Sequence, residues 1–127
     1  MVLSKGLVQI EIPLSKPVFD EEMRNAAIDA LQNERFVMGE SVFKFEEEFA
    51  RYCGTKYAVS TSSGTFALQL SLIALGVNPG DQVVTSPFSF VATANVALHV
   101  RAMPVFADVD LKTCNIDPEL AKERLTT

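Results

Sequence analysis

The chain has 127 residues, 48% apolar and 21% charged, with 11 Lys and Arg against 16 Asp and Glu for a net charge of -5. That is the composition of one globular domain at most, and the scattered basic residues form no stripe that would neutralise a phosphate backbone, which argues against nucleic acid as a partner. Apolar runs stop well short of the ~20 residues of a membrane helix, and Met1 to Gly6 lacks a signal peptide's charged-then-apolar order, so no membrane contact and a cytoplasmic location are expected.

Asp20 is placed to cap a helix over about 20–33, with Met23, Ala27, Ala30 and Leu31 at helical spacing and Glu21 and Glu22 at its positive end. Ser41 is expected to cap a second helix, with Val42, Phe45, Phe49 and Tyr52 on one face, Lys44, Glu47 and Glu48 on the other, and Gly54 as its stop. Beyond Gly54 short apolar strands alternate with helices. Tyr57 to Thr61, Gln82 to Ser86 and Met103 to Ala107 read as strands. Phe66 to Leu75, closed by Gly76, and Phe90 to Val100 read as helices, with a turn at Pro79-Gly80-Asp81. Such alternation predicts βαβ units and a mainly parallel sheet. Asp117-Pro118 opens a last helix expected to run to Thr127, so the chain is expected to stop inside the pattern rather than at a domain boundary.

Cys53 and Cys114 are far apart and read as buried thiols, neither a zinc site nor a disulfide scaffold. His99, the single histidine, lies among Val96, Ala97, Leu98 and Val100 and reads as a core or helix-end imidazole without a catalytic role. No metal site is expected.

Two segments carry chemistry. In Ser60-Thr61-Ser62-Ser63-Gly64-Thr65 a strand gives way to a helix through hydroxyl residues and one glycine. A helix's first turn offers unpaired N–H groups and favours negative charge, Gly64 lets a backbone approach closely, and Ser63 and Thr65 add hydroxyls, so a phosphate fits. Alone the motif is weak, because Ser62 or Ser63 as a plain N-cap is the commoner use of such residues. The absence of a Walker lysine and of further fingerprint glycines argues against nucleoside triphosphate and NAD. The second segment, Ser86-Pro87-Phe88-Ser89-Phe90-Val91-Ala92-Thr93, lies at another strand-to-helix junction on the same carboxyl edge, where open α/β sheets bind ligands. Phe88 or Phe90 there can offer a ring face to a flat heterocycle, although such rings are more often core.

The order of these features resembles the DegT/DnrJ/StrS-type sugar aminotransferases, pyridoxal-phosphate (PLP) enzymes of fold type I. Six blocks carry the resemblance: Ile12-Pro13-Leu14-Ser15-Lys16-Pro17; Gly39, Val42, Phe45-Glu46 and Phe49-Ala50; Ser63-Gly64-Thr65 with Ala67-Leu68; Leu75-Gly76-Val77, Pro79-Gly80-Asp81 and Val83; Ser89-Phe90-Val91-Ala92-Thr93-Ala94-Asn95; and Pro104-Val105-Phe106 with Asp108-Val109-Asp110. The resemblance implies the amino-terminal part, residues 1–127, of a single three-layer α/β/α large domain with a mostly parallel sheet, preceded by amino-terminal helices.

It also implies that Gly64 and Thr65 grip the cofactor phosphate, with Ser63 a weaker helper, and that Phe90 stacks on the pyridine ring. Gly39 would lie near a sugar-nucleotide entrance, while Asn95, Asp108 and Asp110 read as structural. The full-length enzyme would move an amino group, usually from glutamate, to a keto group of a nucleotide-linked sugar by way of pyridoxamine phosphate (PMP), as a homodimer. No catalytic residue is assigned in this chain, because the resemblance puts the pyridine-pairing aspartate and the Schiff-base lysine beyond Thr127, and none of Lys5, Lys16, Lys44, Lys56, Lys112 and Lys122 sits where its pKa would fall. The chain alone is therefore expected to be inactive. A PMP-dependent sugar dehydratase, with histidine at the lysine position, and a non-catalytic or regulatory binding module are the alternatives. One departure is Arg101, where the family usually has glycine: a left-handed cap without glycine costs up to about 1 kcal/mol, so a differently shaped cap is expected.

Overall fold

The computed structural model describes residues 12, 13 and 15–125. The Met1 to Gly6 stretch, Lys5, Leu14 of the first family block and the expected run to Thr127 lie outside the described residues. The chain divides into two compact units, Met1–Thr55 and Lys56–Thr127.

In the first unit, α1 (Glu21–Asn33) starts where expected: Asp20 is extended and its Oδ1 accepts the Met23 N–H at 2.8 Å. Helix α2 (Glu40–Cys53) starts differently. Its N-cap is Gly39, which makes no side-chain cap bond, and not Ser41. Glu34, just past α1, takes over the capping from seven residues away, accepting both the Ser41 N–H (2.9 Å) and the Ser41 hydroxyl (2.5 Å). An acidic group at a helix start is favoured by the dipole, and these two bonds, the hydroxyl's first, hold the Glu34 carboxyl below its ordinary range. Gly39 must be glycine for want of space: a Cβ there would lie 2.6 Å from Glu34 Oε2 and 2.8 Å from the Arg35 carbonyl oxygen. Along α2 the rings of Phe45 and Phe49 meet at 5.5 Å, Lys44–Glu48 and Arg51–Glu47 pair on the polar face, and Gly54 ends the helix at φ 68°.

The second unit runs α3 (Gly64–Ala74), β1 (Gln82–Thr85), α4 (Ala92–His99), β2 (Met103–Phe106) and α5 (Pro118–Leu125). Strands β1 and β2 are parallel, in register from Gln82 opposite Met103 to Thr85 opposite Phe106. Helix α4 joins them and packs on both, α3 packs on α4, and α5 packs on the strands. This is the expected βαβ unit. Its core consists of small side chains: Ala92, Val96, Ala97, Ala102 and Ala107 are buried, with Thr85 beside them.

Residues 57–61 do not form the expected strand. A strand exists only through a partner that takes its backbone groups, and among the described residues the sheet has two strands, neither of them here. Both cysteines are exposed, contrary to expectation: Cys53 is the last residue of α2 and Cys114 sits in a tight turn at φ 56°. His99 is exposed at the end of α4, the helix-end alternative.

The expected change of cap shape at Arg101 does not occur. Arg101 itself adopts φ 60°, its N–H donates to the Leu98 carbonyl (2.9 Å), and the Ala102 N–H reaches back to the Ala97 carbonyl (2.8 Å). These are the two bonds of a Schellman cap, here formed without glycine. The Arg101 carbonyl also accepts the Gly80 N–H at 2.9 Å, tying the turn before β1 to the turn before β2.

After β2, Asp108 and Asp110 have the structural roles expected of them. Asp108 Oδ1 accepts the Val109 N–H (2.8 Å), and Asp110 Oδ1 accepts the N–H groups of Thr113 (2.8 Å) and Lys112 (3.1 Å) in a turn closed by a Val109–Ile116 antiparallel bridge. The Thr113 N–H, followed by its hydroxyl, holds the Asp110 carboxyl below its ordinary range. Asp117 Oδ1 then caps α5 through the Glu119 N–H at 2.8 Å.

Candidate functional site

At the start of α3, Ser63 is extended and is the N-cap: its Oγ accepts the Phe66 N–H at 3.2 Å and its carbonyl accepts the Ala67 N–H at 3.0 Å. The Thr61 hydroxyl donates to the same carbonyl at 2.9 Å. Ser63 thus has the capping role that the sequence left open, and the N–H groups of Gly64 and Thr65 are the first-turn donors with no partner among the described residues. Gly64 is helical and has no atom within 4 Å of where a Cβ would sit. Neither backbone conformation nor packing among the described residues requires glycine there. Thr65 is half-buried beside it.

The second junction, the loop from Ser86 to Val91, joins β1 to α4. Ser86 Oγ accepts the Phe88 N–H at 3.1 Å, the Thr93 N–H donates to the Phe90 carbonyl at 3.0 Å, and the hydroxyls of Ser89 and Thr93 lie 3.1 Å apart. Phe88 and Phe90 are 68% and 76% exposed, so neither is a core residue. Phe90 borders a hollow of about 240 Å³ whose other walls include Pro87, Ala94 and Phe106. Phe88 borders another, of about 330 Å³, with Thr93 and Asn115. Phe106 and Ala94 went unremarked as lining residues in the sequence, although the signal was available: parallel register sets Phe106, the last residue of β2, beside Thr85 and hence beside the loop that begins at Ser86.

Every described lysine is exposed, which suits none of them to hold a cofactor's aldehyde carbon. Among the described residues no three His, Cys, Asp or Glu side chains group as metal ligands, and no helix is long and apolar enough to cross a membrane.

At the level of class, this is an α/β protein whose candidate ligand edge lies at the carboxyl ends of parallel strands. The model of the DegT/DnrJ/EryC1/StrS aminotransferase family matches residues 17–127, and the chain belongs to that family. The UDP-2-acetamido-2-deoxy-3-oxo-D-glucuronate aminotransferase of Pseudomonas aeruginosa is 41% identical over 96 residues, covering 76% of this chain and 27% of the relative. Among solved structures, the aminotransferase from Psychrobacter cryohalolentis superposes with a TM-score of 0.78 at 36% identity, covering 87% of this chain and 29% of its own. The E. coli GDP-4-keto-6-deoxy-D-mannose-3-dehydratase, solved with hydrated PLP bound, gives a TM-score of 0.81 at 33% identity, covering 90% of this chain and 31% of its own. The chain therefore shares the fold type I architecture of these enzymes over a partial α/β domain. It spans about a quarter to a third of the length of curated relatives it matches, from 24% to 30%.

Proposed function

We propose that this chain is the cofactor-cradling, amino-terminal part of a PLP-dependent aminotransferase that acts on a nucleotide-linked keto sugar with glutamate as amino donor. The observation that carries the reading is the start of α3, where two first-turn N–H groups have no partner among the described residues and no atom lies within 4 Å of where a Gly64 Cβ would sit, within a chain of this family. A phosphate fits there by charge and by donor count. Gly64 and Thr65 would hold it, Ser63 would keep the turn in shape, and Phe90 would lie against the pyridine ring, with Phe106 and Ala94 closing the same hollow. When bound, the cofactor supplies the electron sink of the amino transfer; this chain's residues bind and orient it. Homodimeric assembly and a cytoplasmic location belong to the same proposal.

Titration with PMP tests the cradle, since it carries the phosphate and the ring but no aldehyde to react with exposed lysines. Saturable binding with an induced circular dichroism band, weakened at least tenfold in Gly64→Val, is the expected result. Equal binding by wild type and variant would remove the phosphate assignment. The dehydratase reading is favoured by one observation, the similarity to the E. coli enzyme. Assay of the complete protein with a nucleotide-linked keto sugar and glutamate separates the two: an amino sugar that keeps all its hydroxyls marks the transferase, and a deoxy keto sugar formed with release of ammonia marks the dehydratase. If neither occurs, the chain is a binding module.

A further inference from the structure

Side chain to side chain hydrogen bonds are the minority class in proteins, and an exposed hydroxyl pair is not needed to satisfy any buried group. The pair Ser89–Thr93 is such a bond, and it does not serve the helix start: Val91 is the N-cap of α4 and no side chain caps it. What the pair does is local to Phe90. Thr93 reaches back twice, its N–H to the Phe90 carbonyl at 3.0 Å and its Oγ1 to Ser89 Oγ at 3.1 Å, so one residue holds the chain at Phe90 and just before it. On the far side of Ser89, Ser86 Oγ holds the Phe88 N–H. A ring 76% exposed has little packing of its own to fix it. Its direction depends on the peptide that carries it.

We infer that Thr93 is the positioning residue for the Phe90 ring, acting through the Ser89 hydroxyl to hold the loop so that the ring faces the hollow it shares with Ala94 and Phe106. The inference rests on the reading of Phe90 as the ring-stacking residue, and it deepens that reading by naming what aims the ring. Thr93→Val keeps the shape and the backbone bond while removing the hydroxyl. Thr93→Ser keeps the hydroxyl.

Two measurements on the whole chain decide it. In PMP titrations, Thr93→Val and Ser89→Ala should each weaken binding about two- to tenfold, the effect of losing one hydrogen bond. The double variant should be no weaker than either single one, and Thr93→Ser should bind like wild type. If Phe90→Ala weakens PMP while Thr93→Val does not, the positioning role is overturned and the stacking role of Phe90 stands. If Phe90→Ala binds like wild type, it is the stacking role that fails. The second measurement needs no ligand: backbone ¹⁵N relaxation over residues 88–91 should report lower order in Thr93→Val, restored in Thr93→Ser. Unchanged order would overturn the clamp whether or not PMP binds.

Discussion

Arg101→Gly should stabilise the protein, and the structure supplies the magnitude. A side chain held at φ 60° brings its Cβ against the following carbonyl oxygen, which costs about 1–2 kcal/mol relative to glycine, more than the roughly 1 kcal/mol expected of the cap from sequence. Glycine gives back about 0.4–1 kcal/mol through the greater freedom of the unfolded chain. The Arg101 side chain is exposed and makes no ion pair among the described residues, so its removal loses no contact there. Both Schellman bonds and the bond from Gly80 are made by the backbone and survive the change. The net gain spans about 0–1.6 kcal/mol and centres on about 0.8 kcal/mol, which for a unit of the size of residues 56–127 corresponds to a rise in Tm of about 3–6 °C. Thermal melts followed by far-ultraviolet circular dichroism, with Arg101→Ala alongside, make the test. Alanine keeps the strained φ and should melt near wild type. If Arg101→Gly melts no higher than Arg101→Ala, the left-handed strain does not exist.

Three further outcomes follow from the geometry. Gly39→Ala drives a Cβ against Glu34 and the Arg35 carbonyl, so the Glu34 cap should be displaced and the Ser41 amide should exchange with deuterium far faster; unchanged exchange would show that the loop yields without loss. Asp110 has a folded pKa depressed below its ordinary 3.8, so its contribution is fully present above that value and is lost as pH falls through the lower folded pKa. An NMR titration should move the Thr113 amide only in that acidic window, and Asp110→Asn should abolish the step. Cys53 and Cys114 should both react with a thiol reagent in native buffer; a requirement for denaturant would contradict their exposure.

Local signals in the sequence transferred well to the fold. Asp20 caps α1 because the N–H it accepts is three residues away, and Gly54 and Gly76 end α2 and α3 with the positive φ that only the next few residues demand. Expectations failed where the cause was distant. Ser41 lost its capping role to Glu34, which lies seven residues earlier, beyond the three-residue reach of a capping motif. Residues 57–61 have the apolar run of a strand but do not join the two-stranded sheet of the described residues, and pairing is not a property of one segment. At the candidate site, the donors of Gly64 and Thr65 were legible because a helix start creates them wherever it occurs. Phe106 was not, because it joins Phe90 only through the register of two strands 21 residues apart in the chain.

The alanine core of the βαβ unit has a consequence for how this sequence is able to vary. With Ala97 wholly enclosed and Ala92, Ala102 and Ala107 nearly so, the helix lies close against the two strands, and there is almost nothing to trim. Drift at these four positions is therefore one-sided. Any change other than glycine adds volume, wedges α4 away from the sheet, and with it moves Phe90, two residues before Ala92. The reach of the candidate site into sequence space is thus narrower than its few ligand-facing residues suggest, since the interior spacing behind them is also fixed.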